Sequence, residues 1–461
     1  MTFRKEKDVL GEVEVPENAY WGVNTQRALE NFKISDNRFP TIFIISLAEL
    51  KKACLQANRK LDLIQNEEYE AILKAVDEII FEKKFLDQFP VDVFQTGSGT
   101  QTNMNMNEVL ANRANEILGH LLGTKHPIHP NDHINMGQSS NDVIPSVMHI
   151  SSIHLLKDKL IPALDLINST ISKKIRKFEG VIKVGRTHLQ DAVPIPLAME
   201  FDVYRTQLQK GKAEVKRSLV SLANIPIGGT AVGTGLNAHK DFAENVIDYL
   251  TKITEFPFKI KQLKAEGIAS HNTLVQVSSV LRSIALSAMK MANDIRWMGS
   301  GPRAGLSELI LSQNEPGSSI MPGKINPSQS EMLIQVCLRV IGNDMIITQG
   351  ESFGSTLDLN VCKPLIIYSL LESIEILSNG ITSFAENCIK DLKVNKKNID
   401  NQLEKILMTV TRLSPLIGYD KCAYVAQKAY KEGKTIKEVI LEEKIKIKEN
   451  LDELLDPKKM I

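Results

Sequence analysis

Wound as a helix, the stretch from Asn272 to Met298 is apolar on nearly every side: Val275, Val277, Val280, Leu281, Ile284, Leu286, Met289, Met291 and Ile295 leave no wide polar stripe. Such a helix has to be covered by other helices or by lipid. Lipid is not expected, because no run approaches the roughly 18 unbroken apolar residues of a membrane span. The best candidate, Ile42 to Leu47, is short and soon charged. Other long segments of helical period are Thr41–Leu61, Glu67–Glu82, Leu197–Asn224, Asn237–Thr254, Ser328–Gly350 and Leu365–Leu392. Together they predict a mainly α chain built on a long helical bundle. One chain has too few helices to cover them all, so the bundle is expected to extend into an oligomer.

The pattern from Ser139 to Gly180 reads as one very long helix, capped by Ser139, Ser140 or Asn141 and kinked at the interior Pro162. Short β-like runs stand at Gly11–Pro16 and Val181–Val184. The expected division is a mixed, mainly helical region over 1–138, the bundle over 139–394, and a small Lys/Glu-rich helical appendage over 395–461. There is neither a βαβ alternation nor a 20–50-residue repeat.

Charge and cysteine content remove whole classes of function. Lys plus Arg number 56 and Asp plus Glu 55, a net charge of +1, so no protein-wide positive field exists for nucleic acid or anionic lipid. The five cysteines form no CxxC pair, which supports neither a disulfide framework nor a zinc ribbon. The N-terminus has no apolar signal core, and a reducing, cytoplasmic setting is expected.

Chemistry concentrates in the connections. GSSIMPGKINP (Gly317–Pro327) has glycine and proline on both sides of Lys324. It carries the hydroxyls of Ser318 and Ser319, an ammonium and the Asn326 amide, an inventory suited to an anionic substrate. GRTHLQDA (Gly185–Ala192) sets His188 after Thr187 on a glycine-led turn, where a proton-moving group is useful; Glu331 is a candidate to orient it. The stretches Ser98–Glu108 and His129–Asp142 are expected to be polar loops. Among their residues Thr100, Asn103, Ser139, Ser140 and Asn141 are neutral donors suited to carboxylate oxygens, and helix capping is their plainer role. His126, His129 and His133 suggest a metal, but Pro127 and Pro130 break any common helical face, and neither metal nor cofactor is expected. GGTAVGTGLN (Gly228–Asn237) lacks both a GK[ST] ending and a strand-led GxGxxG, and reads as a packed turn into a helix capped near Asn237.

These motifs carry a family resemblance. GSSIMPGKINP is similar to the signature of the fumarase/aspartase superfamily. With SGTQTNMNMNEVLANRA, HPNDHIN, QSSNDVIP, GRTHLQDA, GGTAVGTGLN and SGPRAGLSE, essentially the whole chain resembles the class II, iron-independent fumarate hydratases. Aspartate ammonia-lyases share the scaffold, but tend to carry Gln at the position of His188 and Ala at that of Gly323, and differ at SGTQ. The resemblance implies a three-domain subunit, and a homotetramer whose active sites draw on three subunits. It implies dicarboxylate substrates, fumarate and L-malate, interconverted through an aci-carboxylate. It makes Ser318 the base and His188, paired with Glu331, the group that handles water. Ser98, Gly99, Thr100, Ser139, Ser140, Asn141, Thr187, Ser319, Lys324, Ile325 and Asn326 would bind substrate, and His129, Pro130, Asn131 and Asp132 a second dicarboxylate. Two departures stand out: His126 where the family often has Arg, and Leu263, Ala265 and Asn272 in the segment Gln262–Thr273, where local packing is expected to differ.

Overall fold

In the computed structural model, which describes residues 2–461, helices dominate and every β-sheet is two-stranded. The chain opens on strands β1 (Phe3–Asp8) and β2 (Gly11–Pro16), paired antiparallel from Phe3↔Pro16 to Asp8↔Gly11. Helices α1 (Val23–Asn31), α2 (Thr41–Lys60), α3 (Asn66–Ile80) and α4 (Thr100–Ile117) follow. Then come α5 (Ser140–Leu155), α6 (Ile161–Lys177), the hairpin β3 (Ile182–Thr187) and β4 (Gln190–Pro196), and α7 (Leu197–Leu222). Next are β5 (Asn224–Ile225), α8 (Phe242–Thr254), β6 (Lys259–Ile260), α9 (Lys264–Ala269) and α10 (Asn272–Met298). The last third holds β7 (Leu309–Ile310), α11 (Ser328–Gly354), β8 (Ser355–Thr356), β9 (Leu359–Asn360), α12 (Lys363–Phe384), β10 (Lys393–Val394) and four short helices after α13 (Lys396–Leu403).

Two units partition the chain, each discontinuous in sequence. One comprises 1–162, 211–283 and 338–378; the other 163–210, 284–337 and 379–461. In the first, α2 packs against α3, α5 and α8, and its run from Phe43 to Lys51 is buried throughout. In the second, β3 and β4 pair across a bulge between Val184 and Arg186. Val410, Leu413, Cys422, Val425, Val439 and Ile440 give the C-terminal helices a core of their own.

The long pattern after Ser139 is, as expected, helical through to Lys177, with a π turn over Leu156–Leu160 ahead of Pro162. Two other expectations are corrected. SGTQTNMNMNE is not a loop: α4 begins at Thr100, so donors from Thr100 onward sit on a rigid helix. The helix expected to be capped near Asn237 starts at Phe242, with Asp241 at its N-cap. Strand β1 carried no signal of its own in the sequence. By length and composition the stretch Lys363–Ile389 qualifies as a membrane span, but 61% of its most apolar window is buried inside the molecule. It is the type of core helix that passes such a test.

Candidate active site

In the first unit, the donors gather around two helix N-termini. Ser98 Oγ and Thr100 Oγ1 lie 2.7 Å apart at the entry to α4. Gly97, just before them, has no room for a side chain: a Cβ would sit 1.6 Å from the Val361 carbonyl oxygen. The Lys363 N–H donates to the Gly97 carbonyl (3.1 Å), which pins the turn against the segment entering α12. At the start of α5, Ser139 and Asp142 form a reciprocal capping box. Asn141 Nδ2 donates to the Ala231 carbonyl (2.9 Å), and Ser140 Oγ accepts from Asn103 Nδ2 (3.1 Å).

The glycine-rich turn Gly228–Asn237 also has a definite task. Its Gly228 and Thr230 N–H groups both donate to Asp142 Oδ2 at 2.9 Å. Burial of Asp142 pushes its carboxyl up to about 6 despite those donors and the Ser139 N–H. The turn therefore holds the Ser139–Asn141 segment from behind. Sequence reading recognised a packed turn but not its anion, because Asp142 lies 86 residues from Gly228.

The segment Gln262–Thr273, where family residues are replaced, forms α9 and the entry to α10. There the His271 N–H and Ser270 Oγ donate to the two oxygens of Glu351 (2.8 and 2.7 Å).

In the second unit, Thr187 and His188 are exposed at the tip of the β3–β4 hairpin. The two-residue turn is His188–Leu189, with φ of 55° and 58°. Both are non-glycine residues in the left-handed region, a conformation that costs roughly 1 kcal/mol or more apiece unless its surroundings hold it. The hold comes from below. Arg186 pairs with the fully buried Glu308, and its other nitrogen donates to Gln402 Oε1 (3.1 Å). Lys183 reaches Glu308 (3.3 Å) and Glu200 (3.0 Å). Glu308 closes the SGPRAGLSE motif, whose acidic residue had no assigned partner in the sequence.

The Gly317–Pro327 loop closes on itself. Gly317 N–H donates to the Lys324 carbonyl (2.9 Å), and Asn326 Nδ2 to the Gly317 carbonyl (2.5 Å). Lys324 Nζ donates to Asn326 Oδ1 (2.7 Å). A Cβ on Gly317 would meet the Lys324 carbonyl oxygen at 2.3 Å, so glycine is obligatory for this closure. Ser318 Oγ accepts the N–H groups of Ile320 (3.2 Å) and Met321 (2.9 Å). Ser319, Lys324 and Ile325 are exposed, and Glu331 stands exposed in the first turn of α11. Among the described residues, no hydrogen bond or ion pair joins His188, Ser318 and Glu331 to one another within the chain.

His129, Pro130, Asn131 and Asp132 form the entry of a π turn over Pro130–Ile134. The His129 Nδ1 lone pair accepts from the N–H groups of Asn131 (3.3 Å) and Asp132 (3.4 Å), and His133 Nδ1 accepts from the His129 N–H (2.9 Å). Each imidazole thus commits its Nδ1 to the turn. A cavity of about 550 Å³ borders it, lined by His129 and Asn131 together with Arg27 and Lys125. Lys125, the neighbour of His126, is thus one of two cations lining this cavity with Arg27, and no sequence motif singled it out.

The class of protein is a lyase: a lyase family model matches residues 11–342 and a fumarase C C-terminal model residues 410–461. Class II fumarate hydratase of Nitrosomonas europaea is 46% identical over 99% of either chain, and the mitochondrial fumarate hydratase of Rhizopus oryzae 47% identical over 100% of this chain and 93% of that one. A solved class II fumarase from Schistosoma mansoni superposes with a TM-score of 0.97 at 39% identity, covering 100% of this chain and 99% of the other. The chain belongs to the class II fumarate hydratase family.

Proposed function

We propose that the chain catalyses the reversible hydration of fumarate to L-malate. The observation that carries this reading is Ser318: a serine hydroxyl is a poor base, yet here its oxygen already receives two backbone N–H donors that would stabilise an alkoxide. Lys324, six positions further along the closed loop, adds positive charge. In the dehydration direction Ser318 removes the proton beside a carboxylate, and that carboxylate takes up a second negative charge as an aci-carboxylate. Lys324 and Asn326 are the donors for this charge. His188, oriented by Glu331, protonates the departing hydroxyl, or activates water in reverse. Ser98, Thr100, Ser139, Ser140, Asn141, Thr187 and Ser319 hold the carboxylates with neutral donors, with Gly99 and Ile325 shaping the wall.

That no hydrogen bond or ion pair joins His188, Ser318 and Glu331 among the described residues supports a site assembled from three subunits of a homotetramer. Exposed apolar residues on the bundle helices support it too: Leu338, Met345 and Phe353 on α11 and Leu286 on α10. The division at 138/139 and 394/395 is kept as the domain organisation of that subunit. His129, Asn131 and Asp132, with Lys125, would hold a dicarboxylate outside the reaction centre, and a cytoplasmic or equivalent reducing setting suits five free thiols. The test is loss of fumarate's ultraviolet absorbance on mixing, with L-malate identified as product. Aspartate formed from fumarate and ammonium, with no malate, would instead establish the ammonia-lyase.

A further inference from the structure

Beneath the Ser139–Asn141 turn runs a relay of amides that ends on a buried cation. Lys51, on α2, is 3% exposed. Its Nζ donates to Asn135 Oδ1 (3.0 Å) and Gln138 Oε1 (2.9 Å). The same Asn135 oxygen accepts from Asn103 Nδ2 (3.1 Å) and Asn107 Nδ2 (3.2 Å), and Asn103 Nδ2 also donates to Ser140 Oγ (3.1 Å). An ammonium has hydrogens and no lone pair, so the Asn135 atom facing it has to be oxygen. That oxygen can meet only the nitrogens of Asn103 and Asn107. Asn103 nitrogen then fills a lone pair of Ser140, whose own hydrogen is left to be donated elsewhere.

We propose that Lys51 is a positioning residue for the hydration reaction: as a donor-only cation it sets the polarity of the Asn135–Asn103–Ser140 relay, and so presents Ser140 as a donor to a substrate carboxylate. This rests on the fumarate hydratase reading above. The titratable groups facing Lys51 are Cys54 on its own helix and Asp142 on α5. Asp142 is engaged by the backbone N–H groups of Ser139, Gly228 and Thr230, and no carboxylate hydrogen-bonds the ammonium. Burial without such a partner pulls the Lys51 ammonium down to about 7. Once deprotonated, the amine carries a lone pair, the amides are free to reverse, and Ser140 loses its direction. Substrate binding should therefore weaken as pH rises through neutrality.

Fumarate hydration by the native chain is measured first; its absence overturns the function and not merely the relay. With native activity in hand, K51M should raise KM for fumarate about tenfold at a pH of about 6.5, the worth of one well-placed hydrogen bond, with kcat within about twofold. The variant-to-native KM ratio should shrink towards one by a pH of about 8.5. In an S140A background K51M should add no further change. An unchanged KM, a ratio independent of pH, or an equal K51M effect in S140A would each overturn the proposal. If K51M does not fold, N103D decides: its carboxylate would take the Ser140 hydrogen and raise KM, and an unchanged KM refutes the relay.

Discussion

At Ser318 the proposed base chemistry depends on two N–H groups that the loop can offer only because it is not helical. A hydroxyl inside a helix would face neighbours whose N–H groups are already spent on the i−4 carbonyl. In the Gly317–Pro327 loop the N–H groups of Ile320 and Met321 are free to point at Oγ. Ser318→Ala should therefore lower kcat by about 10³-fold with KM little changed, since the hydroxyl acts on the reacting proton more than on binding. Steady-state kinetics on fumarate and malate check this, and near-native turnover would remove Ser318 from the role of base. At this scale the residue types in GSSIMPGKINP and GRTHLQDA pointed to an anion site and a proton carrier, the roles proposed for them here. Asp142, Lys51 and Glu308 were not legible, because a buried charge is recognised by what surrounds it, and their partners are remote in sequence.

Among the elements, the β3–β4 hairpin shows how a strained tip is held. His188 and Leu189 occupy left-handed conformations while Glu308, wholly buried, gathers Arg186 and Lys183 under the strands. Glu308→Ala leaves two cations without their shared anion in a nearly dry setting. It should destabilise the chain by about 3–5 kcal/mol, read as a lower urea midpoint, and kcat should fall with it as the tip loosens. A variant of native stability would show that the cluster is dispensable. Helical period identified most long elements closely, from Thr41–Lys60 to Asn272–Met298. It failed where polar residues lie on a buried helix: Asn103, Asn105, Asn107 and Glu108 in α4 are all buried, and their amides read as loop.

For the whole molecule, two consequences follow from what is covered. Leu338 is 55% exposed on α11, where Met345 and Phe353 are exposed as well. Leu338→Arg should shift the proposed tetramer to smaller species in analytical ultracentrifugation and abolish activity with it; an unchanged sedimentation coefficient would exclude that face from an interface. The second consequence concerns acid. Burial holds the His149 imidazole down to about 4, with Nδ1 against the Leu222 carbonyl at 2.9 Å. In the unfolded chain it would titrate near its ordinary value, so the stability it contributes is complete above a pH of about 6.5 and is lost as pH falls towards 4. That loss amounts to about 1.4 kcal/mol per pH unit. His149→Gln should remove about one proton from the acid slope of the urea midpoint over this interval, and an identical slope would refute the assignment.

By itself the sequence determined the helical class, the extent of most long helices, and the polar inventory of the candidate site, because period, capping and residue type are local properties of a chain. Only the tertiary structure decided which polar residues are buried, which carboxylate the glycine-rich turn serves, how Glu308 supports the His188 tip, and in which direction the hydrogen bonds beneath Ser140 run. Those outcomes depend on exclusion of water and on contacts between residues far apart in the chain, and neither is written in any single segment.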